Sequence, residues 1–251
     1  MTRGSSGLLT GSTALVTGAG RGIGRGIVGE LARAGADVVL VSRSADELAL
    51  AASDVAAAGR AATVAVADIR DPRAVGQALR TARNAHPSID ILVNNAGINT
   101  SFRKFWEYDE QSYRTVVDTN LTGTFVVSQV LARYWRDEGI AGRMVNIASV
   151  ESEVAYPDQA PYAATKGGIL TMTKVLASEL AEHGIRVNAI GPGPIDTPLS
   201  EQFRELSEAR VAMHRLGEPA EVGAAAVFLA SSLSTFVTGT IIYVDGGYML
   251  R

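Results

Sequence analysis

The sequence of 251 residues contains no cysteine. Disulfide bonds, thiolate catalysis and cysteine-ligated metal sites are therefore excluded, and the absence fits a reducing compartment. No run of the sequence approaches the ~18 apolar residues that a membrane-spanning helix needs, and the N-terminal residues carry no signal-peptide pattern. We therefore expect a soluble, cytoplasmic protein with no membrane partner.

The sequence has only a small excess of negative charge: the formal net charge is -3, and 20% of the residues are charged. Proteins that bind the phosphate backbone of a nucleic acid carry the opposite charge. The three histidines, at positions 86, 183 and 214, lie far apart in the sequence, and none has the spacing of metal ligands. The sequence therefore predicts neither a nucleic-acid partner nor a metal site.

What is present is an alternation of short apolar runs with longer helical patterns. The runs are rich in valine and isoleucine, which is typical of strands buried on both faces of a parallel sheet; they occupy residues 13–17, 37–42, 62–67, 90–94, 143–148, 185–190 and 240–245. Helical patterns between them include residues 24–35 and 168–184. The alternation predicts an α/β fold, with one doubly wound Rossmann-type domain over residues 1–251, about seven parallel strands and helices on both faces. Residues 1–10 are expected to form a flexible lead-in.

A glycine-rich turn, TGAGRGIG, follows the first predicted strand at residues 17–24. Gly18, Gly22 and Gly24 permit a tight turn and a close approach of the backbone to a pyrophosphate, and the helix that follows offers unpaired N–H groups to the phosphates. Glycines also serve in ordinary turns. The position between a strand and a helix favours a dinucleotide site over an ordinary turn.

The end of the second predicted strand bears on which dinucleotide binds. In such folds an acidic residue about 20 positions after the glycine turn holds the ribose diol of NAD, but here Ser42 and Arg43 stand at that place. A serine and an arginine suit the 2′-phosphate of NADP through charge-assisted hydrogen bonds, and Arg21 supplies a second cation. The alternative is that both arginines are simply solvated. We therefore predict NADP(H) rather than NAD(H) as the cofactor.

Tyr162 and Lys166 lie four residues apart at the start of a helical pattern. Residues i and i+4 share one face of a helix, so the lysine is placed to act on the tyrosine. The unperturbed pKa of tyrosine is about 10, and a nearby cation lowers it toward the range in which a general acid or base is effective. On the residues alone, the pair is either ordinary surface or a device that changes the acidity of Tyr162.

With TGAGRGIG, NNAG at residues 94–97 and YAATK at residues 162–166 in one chain, the sequence resembles the short-chain dehydrogenase/reductase family from about residue 10 to its end. The resemblance implies a catalytic group of Asn120, Ser149, Tyr162 and Lys166. In the reductive direction, hydride would pass from the nicotinamide to a carbonyl carbon, Tyr162 would give the proton, and Ser149 would hydrogen-bond the oxygen. Lys166 would also bind the nicotinamide ribose, and Asn120 would hold a water that links Lys166 to solvent.

The resemblance also implies further cofactor contacts. Asp68 and Ile69 match the adenine-binding position at the end of the third strand. The remaining implied contacts lie in the glycine turn and after the fourth and sixth strands, and they are Ile23, Asn94, Ala96, Gly97, Pro192, Gly193, Ile195 and Thr197. Among these, Asn94 is expected to be more structural than catalytic. Gly191 stands where the family more often has a side chain, which predicts a somewhat looser turn.

Two segments are expected to border the substrate. The acidic stretch ESEVAYPD, residues 151–158, is interpreted as a solvated loop. The alternative is that Glu151 or Glu153 hydrogen-bonds substrate hydroxyls or repels anions. Residues 197–215 resemble the substrate lid of the family, and because they carry charges of both signs they do not name a substrate.

Three functions remain open. The favoured one is an NADP(H)-dependent oxidoreductase acting on a small ketone, secondary alcohol, polyol or sugar-derived substrate. The second is a 3-oxoacyl-(acyl-carrier-protein) reductase, which is disfavoured because Ser178 and Glu179 stand where a carrier-binding arginine is expected. The third is a non-catalytic NADP-sensing or scaffold protein, which is disfavoured because all four catalytic positions are filled. The resemblance also implies a homotetramer, or a dimer.

Overall fold

The computed structural model describes residues 7–99, 102–198, 200 and 204–250. Seven parallel strands form one sheet in the order β3-β2-β1-β4-β5-β6-β7. The strands are β1 (Thr13–Thr17), β2 (Asp37–Ser42), β3 (Ala62–Val66), β4 (Ile91–Asn94), β5 (Arg143–Ile147), β6 (Arg186–Pro192) and β7 (Ile241–Val244). The predicted α/β Rossmann-type fold with a seven-stranded parallel sheet is therefore confirmed.

Helices cover both faces of this sheet. In chain order they are α1 (Gly22–Arg33), α2 (Ala45–Ala57), α3 (Pro72–Ala85), α4 (Glu110–Val117), α5 (Gly123–Glu138), α6 (Ala160–Leu180), α7 (Arg204–Arg210) and α8 (Pro219–Ala230). A single π-helical turn, Asp118–Thr122, joins α4 to α5.

The core is divided in two by the alternation of side chains along each strand. On β1, Ala14 and Val16 pack with the apolar side chains of α1, α2 and α8. Leu15 lies between them in sequence and packs on the other face with α3 and α5. Because successive side chains of a strand point to opposite faces, a strand covered on both sides must be apolar at every position. This is why the strands read as short continuous apolar runs.

The segment before β1 differs from the prediction. Residues 7–10 are not a flexible lead-in, because the N–H groups of Gly7 and Leu9 both donate to the carbonyl oxygen of Ala34, over 3.1 and 2.9 Å. The side chain of Leu9 is only 1% exposed and belongs to the core between β1 and α1. Burial of one leucine stabilises the fold by roughly 1.5–3 kcal/mol, which is enough to fix a short terminal segment. The rest of the predicted lead-in, residues 1–6, lies outside the described residues.

The helix that carries Tyr162 begins earlier than its apolar stripe. The pattern over residues 168–184 marks the part of α6 that packs on the sheet, whereas the helix itself begins at Ala160. Pro161 stands in the first turn, where a proline costs no hydrogen bond. The first two turns therefore hold Tyr162 and Lys166, and they face the end of the sheet rather than its middle.

The described residues contain no helix that is long and apolar enough to cross a membrane. Large apolar side chains are nevertheless exposed on two surfaces. One surface has Tyr113, Phe125 and Val175 on α4, α5 and α6, and the other has Leu233 and Phe236 close to β7. Exposed apolar patches commonly mark contacts between subunits. The homotetramer implied by the sequence stays a prediction.

Gly191 does not loosen the chain, contrary to the expectation from the sequence. It is buried in β6, and a Cβ atom added to it would lie 2.5 Å from two ring carbons of Tyr243 on the neighbouring strand. The missing side chain is therefore replaced by a tyrosine ring from β7. The glycine is required by this packing.

We expect the Gly191→Ala substitution to lower the free energy of unfolding by roughly 1–3 kcal/mol, the usual cost of overpacking a core. The measurement is chemical denaturation followed by circular dichroism at one fixed protein concentration. Gly76→Ala is the matched control, because a Cβ atom there meets only the far end of Arg80, at 3.5 Å, and alanine is the better helix former. A Gly191→Ala protein as stable as the wild type would contradict the packing argument.

Candidate active site

The candidate catalytic side chains meet at the carboxyl edge of the sheet, where β4 and β5 end. In open α/β sheets this edge holds the ligand site, next to the point where the strand order reverses. Here the order reverses between β1 and β4. Ser149 follows β5 by two residues, and α6 returns past the same edge with Tyr162 and Lys166 in its first two turns.

Ser149 and Tyr162 are neighbours at this edge. Ser149 is 6% exposed and stands before a short 3-10 turn, Val150–Ser152, whose second residue, Glu151, donates its N–H to the serine Oγ over 3.1 Å. Hydrogen bonding by the side chain of Ser149 acts to lower the pKa of half-buried Tyr162. The two hydroxyl groups therefore lie near each other, as a pair that acts on one substrate oxygen must.

Lys166 is buried, with 4% of its surface exposed. Its Nζ donates to the carbonyl oxygen of Ile147, the last residue of β5, over 2.8 Å, and lies 5.5 Å from the centre of the Tyr162 ring. A Cβ atom added to Gly97 would be 3.6 Å from this Nζ. A larger residue at 97 would therefore close the space in front of the ammonium group.

Asn120 lies in the π-helical turn between α4 and α5 and is fully buried. Its side-chain nitrogen donates to the carbonyl oxygen of Ile98 over 2.9 Å, and its Oδ1 accepts the N–H of the same residue over 2.8 Å. The same nitrogen also donates to Thr165 Oγ1 over 3.2 Å. The side chain thus fastens the loop after β4 to α6 next to Lys166. The water-holding role implied for Asn120 stays a prediction.

The glycine turn is packed so tightly that side chains have no room. A Cβ atom on Gly24 would lie 2.1 Å from the carbonyl oxygen of Gly18. Gly18 and Gly22 have φ angles of +62° and +51°, which favour glycine. Helix α1 begins at Gly22, and Arg21 before it makes no side-chain cap. The first N–H groups of α1 therefore lie behind a cradle that only glycine permits, and this fits a pyrophosphate group.

Asn95 is a residue of the site that sequence reasoning missed. Its side-chain nitrogen donates to the carbonyl oxygens of Thr17 and Gly18, over 3.0 and 3.1 Å, and so it holds the glycine turn against the loop after β4. Asn94, by contrast, is buried and donates to Asn146 and Ser128, both over 2.9 Å. This fits the structural role expected for Asn94. The signal for Asn95 was present in the doubled asparagine of NNAG.

The adenine end of the predicted site is rich in arginine. Ser42 hydrogen-bonds the backbone of Ser44, and Arg43 is exposed next to it. Asp68 accepts hydrogen bonds from the guanidinium of Arg70, the shortest over 2.6 Å. This ion pair lowers the pKa of Asp68, with a smaller contribution from the charge of Arg43. Arg70 was not anticipated, and it brings a further cation to the place where a 2′-phosphate is predicted.

The remaining predicted cofactor contacts border the same groove. Ile69 is buried, and its side chain fills the space where Gly123 of α5 lacks one. Thr197 lies against Gly22, because a Cβ atom on the glycine would be 3.5 Å from its methyl group. Ile195 is buried and pairs with Gly217 in a single β-bridge. Thus the segment after β6 touches the glycine turn. Ile23 and Ala96 pack against the two halves of the core, and Pro192 and Gly193 lie beside Val244 of β7. Their contacts with a cofactor stay predictions.

The segment predicted as the lid is described only in part, because residues 199 and 201–203 lie outside the described residues. Its helix α7 ends at Arg210, whose guanidinium lies 5.8 Å from the centre of the Tyr156 ring. That ring in turn lies 5.8 Å from the ring of Tyr248 near the C-terminus. The lid assignment stays a prediction, but α7 is packed against the loop of residues 151–158.

The acidic loop is not uniformly solvated, which corrects the interpretation from the sequence. Asp158 forms an ion pair with Lys104 over 3.0 Å, and Glu153 is exposed. Glu151 behaves differently: its Oε2 is shut off from solvent and has no hydrogen-bond partner among the described residues. The loop turns one carboxylate inward, toward Tyr162 and Lys166, on whose pKa values its charge acts.

Burial dominates the acidity of the three ionisable groups here. It raises the pKa of Glu151 to about 7, against the attraction of Lys166. It lowers the pKa of Lys166 to about 8, against the attraction of Glu151. It also raises the pKa of Tyr162, and the charge of Glu151 adds to that rise while the Ser149 hydrogen bond opposes it. The predicted lowering by Lys166 is therefore not seen in the protein alone, where only the Ser149 hydrogen bond acts in that direction and desolvation outweighs it.

Comparison with known proteins agrees with this geometry. A family model described as enoyl-(acyl carrier protein) reductase matches residues 18–249. The gluconate 5-dehydrogenase of Gluconobacter oxydans is 40% identical over 245 residues, which are 95% of each chain. The chain belongs to the short-chain dehydrogenase/reductase family.

Other members of the short-chain dehydrogenase/reductase family show the range of its chemistry. The 3-oxoacyl-(acyl-carrier-protein) reductase of Aquifex aeolicus is 36% identical, over 95% of this chain and 98% of that protein. An NADP-bound structure from Agrobacterium tumefaciens, provisionally described as a 2-deoxy-D-gluconate 3-dehydrogenase, is 37% identical with a TM-score of 0.90 over 100% of both chains. Carveol dehydrogenase from Mycobacterium avium, bound to NAD, is 28% identical with a TM-score of 0.93, over 98% of this chain and 100% of that chain.

Within the residues that the structure describes, no group of three or more histidine, aspartate or glutamate side chains is placed to hold a metal ion. The site is therefore built from hydroxyl, amide, ammonium and carboxylate groups. Among its carboxylates, that of Glu151 has one oxygen, Oε2, buried without a hydrogen-bond partner among the described residues.

The raised pKa of Glu151 makes a prediction about stability. Its pKa is 4.5 when unperturbed and about 7 in the folded chain, so the folded state holds the proton more tightly than the unfolded chain. The stability that this proton contributes is fully present below about pH 4.5 and is lost as the pH rises through about 7. We expect the advantage of the wild type over Glu151→Gln in free energy of unfolding to shrink across that window.

The measurement is urea denaturation of both proteins at several pH values between these limits. Glu153→Gln is the control, since it removes an exposed carboxylate from the same loop. Parallel curves for the wild type and Glu151→Gln would show that Glu151 titrates normally.

Proposed function

We propose that the protein is an NADP(H)-dependent oxidoreductase that interconverts a carbonyl group and a secondary alcohol, with Tyr162 as the general acid and base. The proposed substrates are small ketones, polyols or sugar-derived compounds. The observation that carries the proposal is that Ser149, Tyr162 and Lys166 meet at the end of β5, where the buried ammonium of Lys166 lies 2.8 Å from the carbonyl oxygen of Ile147 and 5.5 Å from the centre of the Tyr162 ring.

A nicotinamide dinucleotide, when bound, supplies or accepts the hydride. The glycine cradle at the start of α1 would hold its pyrophosphate. Asp68 and Ile69 would hold the adenine, and the backbone near Ile195 with the side chain of Thr197 would hold the nicotinamide end. The fit of the pyrophosphate rests on the space that the glycines leave, since a Cβ atom at Gly18 or Gly24 would overlap atoms of neighbouring segments.

The protein side of the reaction is a proton transfer at one oxygen. Burial keeps the phenol of Tyr162 protonated, so it has a proton to give to the oxygen of a carbonyl as that oxygen gains negative charge. The same burial makes the phenol a weak acid, and the positive charge of Lys166 is proposed to offset this. Ser149 hydrogen-bonds the same oxygen and holds it in place. In the oxidative direction, the cationic form of Lys166 favours the tyrosinate that accepts the proton.

The preference for NADP(H) is supported by the charges at the end of β2. Ser42 replaces the carboxylate that would repel a 2′-phosphate, and Arg43 is exposed beside it. Arg43 also acts on the charge of Asp68, so it lies at the adenine end. Arg21 is 74% exposed and 3.8 Å from Glu47, a weak pairing that leaves it available. The Agrobacterium relative with bound NADP supports the same choice.

The carrier-protein reductase is less well supported. Arg133 and Glu179 are both exposed on neighbouring helices, so an acidic carrier protein would meet one cation and one anion there. The inward Glu151 also favours a substrate with hydroxyl groups. A non-catalytic role fits poorly, because the four catalytic positions are filled and Ser149, Tyr162 and Lys166 are brought together at the end of β5.

We expect Tyr162→Phe to lower the turnover number by about 10²–10⁴-fold, the usual contribution of a general acid. The measurement is nicotinamide absorbance on a panel of polyols, sugar acids and simple ketones, with 3-oxoacyl thioesters included. Tyr113→Phe, on the exposed face of α4, is the control and should keep full activity. Near wild-type turnover by a correctly folded Tyr162→Phe protein would sink the mechanism.

We expect Arg43→Ala to weaken NADPH binding by about 10–100-fold, because one charge-assisted hydrogen bond contributes about 1.5–3 kcal/mol. NADH binding should change by less than about threefold, since NADH has no 2′-phosphate. Both dissociation constants can be measured by fluorescence titration. Arg80→Ala, remote on α3, is the control, and equal losses for the two cofactors in Arg43→Ala would refute the assignment.

A further inference from the structure

One titratable group in the site has no part in the mechanism above. Glu151 is the second residue after Ser149, and its N–H donates to the serine Oγ. The next residue, Ser152, donates its hydroxyl to the carbonyl oxygen of Lys166 over 3.0 Å. Glu151 is therefore fixed in position relative to both Ser149 and α6. The turn that carries it has little freedom to move the carboxylate away.

The carboxylate of Glu151 lacks the partners that a buried charge requires. Its Oε2 is inaccessible to solvent and accepts no hydrogen bond from the described residues. Among the described residues, the ammonium group of Lys166 donates to the carbonyl oxygen of Ile147 and not to this oxygen. A carboxylate oxygen left in this state costs free energy, and a donor from a bound molecule would recover it.

The other acidic residues of the same loop do not share this state. Glu153 is exposed to solvent, and Asp158 is paired with Lys104. The unsatisfied oxygen is thus confined to the one carboxylate that faces the reacting groups. The local structure of the loop does not need Glu151 for its own hydrogen bonds, since Ser149 and Ser152 provide the contacts that hold the turn.

We propose that Glu151 determines specificity by accepting a hydrogen bond from a second hydroxyl group of the substrate, close to the hydroxyl or carbonyl that reacts at Ser149 and Tyr162. The substrate class is then a polyhydroxylated compound, a polyol or a sugar derivative, rather than a monofunctional alcohol or ketone. The inference rests on the proposed function and narrows it. It also requires that any carboxylate of the substrate lies away from the reacting carbon, because Glu151 would repel it.

The test compares two classes of substrate in three proteins. Wild type, Glu151→Gln and Glu153→Gln are assayed with a set of hexitols and pentitols, and with 2-butanol and cyclohexanol, by nicotinamide absorbance. We expect Glu151→Gln to lower kcat/KM for the best polyol by about 10–100-fold, the effect of one hydrogen bond to a charged group. The ratio of kcat/KM for the best polyol to that for the monofunctional alcohols should fall by a similar factor, because a change in the acidity of Tyr162 or Lys166 acts on both classes alike. Glu153→Gln should leave this ratio unchanged.

Binding is measured separately, so that the two proposals fail in different ways. The polyols are titrated into each protein in the presence of the oxidised cofactor, and the shift in thermal midpoint is recorded. We expect a shift in the wild type that Glu151→Gln loses and Glu153→Gln keeps. Binding of polyols without turnover of any alcohol or ketone would refute the proposed function and still support Glu151 as the hydroxyl acceptor.

Three results would overturn the role of Glu151. The first is an equal loss for polyols and monofunctional alcohols in Glu151→Gln, which would make it a general positioning residue. The second is no loss for either class. The third is a wild type that turns over simple ketones or alcohols but neither binds nor oxidises polyols, in which case the proposed function would stand without this specificity. A wild type that neither binds nor turns over any of the compounds would overturn both proposals.

Discussion

The site depends on how the protein accommodates the buried ammonium group of Lys166. A charged group with 4% exposure is costly unless it finds a partner, and its partner here is the last carbonyl oxygen of β5, Ile147. The end of a strand offers such an oxygen because the backbone hydrogen bonds to the neighbouring strand stop there. Helix α6 must therefore start beside the end of β5. This places Tyr162, one turn before the lysine, next to Ser149, two residues after the strand.

A second constraint works from the opposite side of the groove. The glycine turn, the loop after β4 and the segment after β6 approach each other so closely that glycine is required where they meet. Asn95 ties the first two together through the carbonyl oxygens of Thr17 and Gly18. Asn120 ties the loop after β4 to α6 through Ile98 and Thr165. Two side-chain amides therefore hold together the segments that carry the site.

The sequence predicted the parts of the molecule that repeat a local pattern. The seven strands match to within two residues because a strand buried on both faces is apolar throughout, and this can be read without knowledge of its neighbours. The start of α6 was harder, since its first turns carry site residues in place of an apolar stripe. The predictions of a flexible segment at Leu9 and of a looser turn at Gly191 were wrong for a different reason. The positions of these two residues are decided by Ala34 and Tyr243, which lie far away in the sequence, and no local pattern reports such a contact.

The residues of the candidate site also divide into those that a local pattern predicts and those that depend on distant contacts. Tyr162 and Lys166 were noticed through their spacing and Ser149 through the resemblance to the family, whereas the burial of Glu151 and the pairing of Asp68 with Arg70 depend on how loops fold back. A carboxylate in an acidic run is usually solvated. Only the fixed turn between Ser149 and Ser152 makes Glu151 the exception.

The contacts around Tyr156 join three segments that are remote in sequence. Its ring lies 5.8 Å from the guanidinium of Arg210 at the end of α7 and 5.8 Å from the ring of Tyr248. Tyr248 is therefore joined, through Tyr156, to the helix of the segment predicted as the substrate lid. If that segment acts as the lid, a tag fused a few residues after Tyr248 would bear on the contacts that hold it in place.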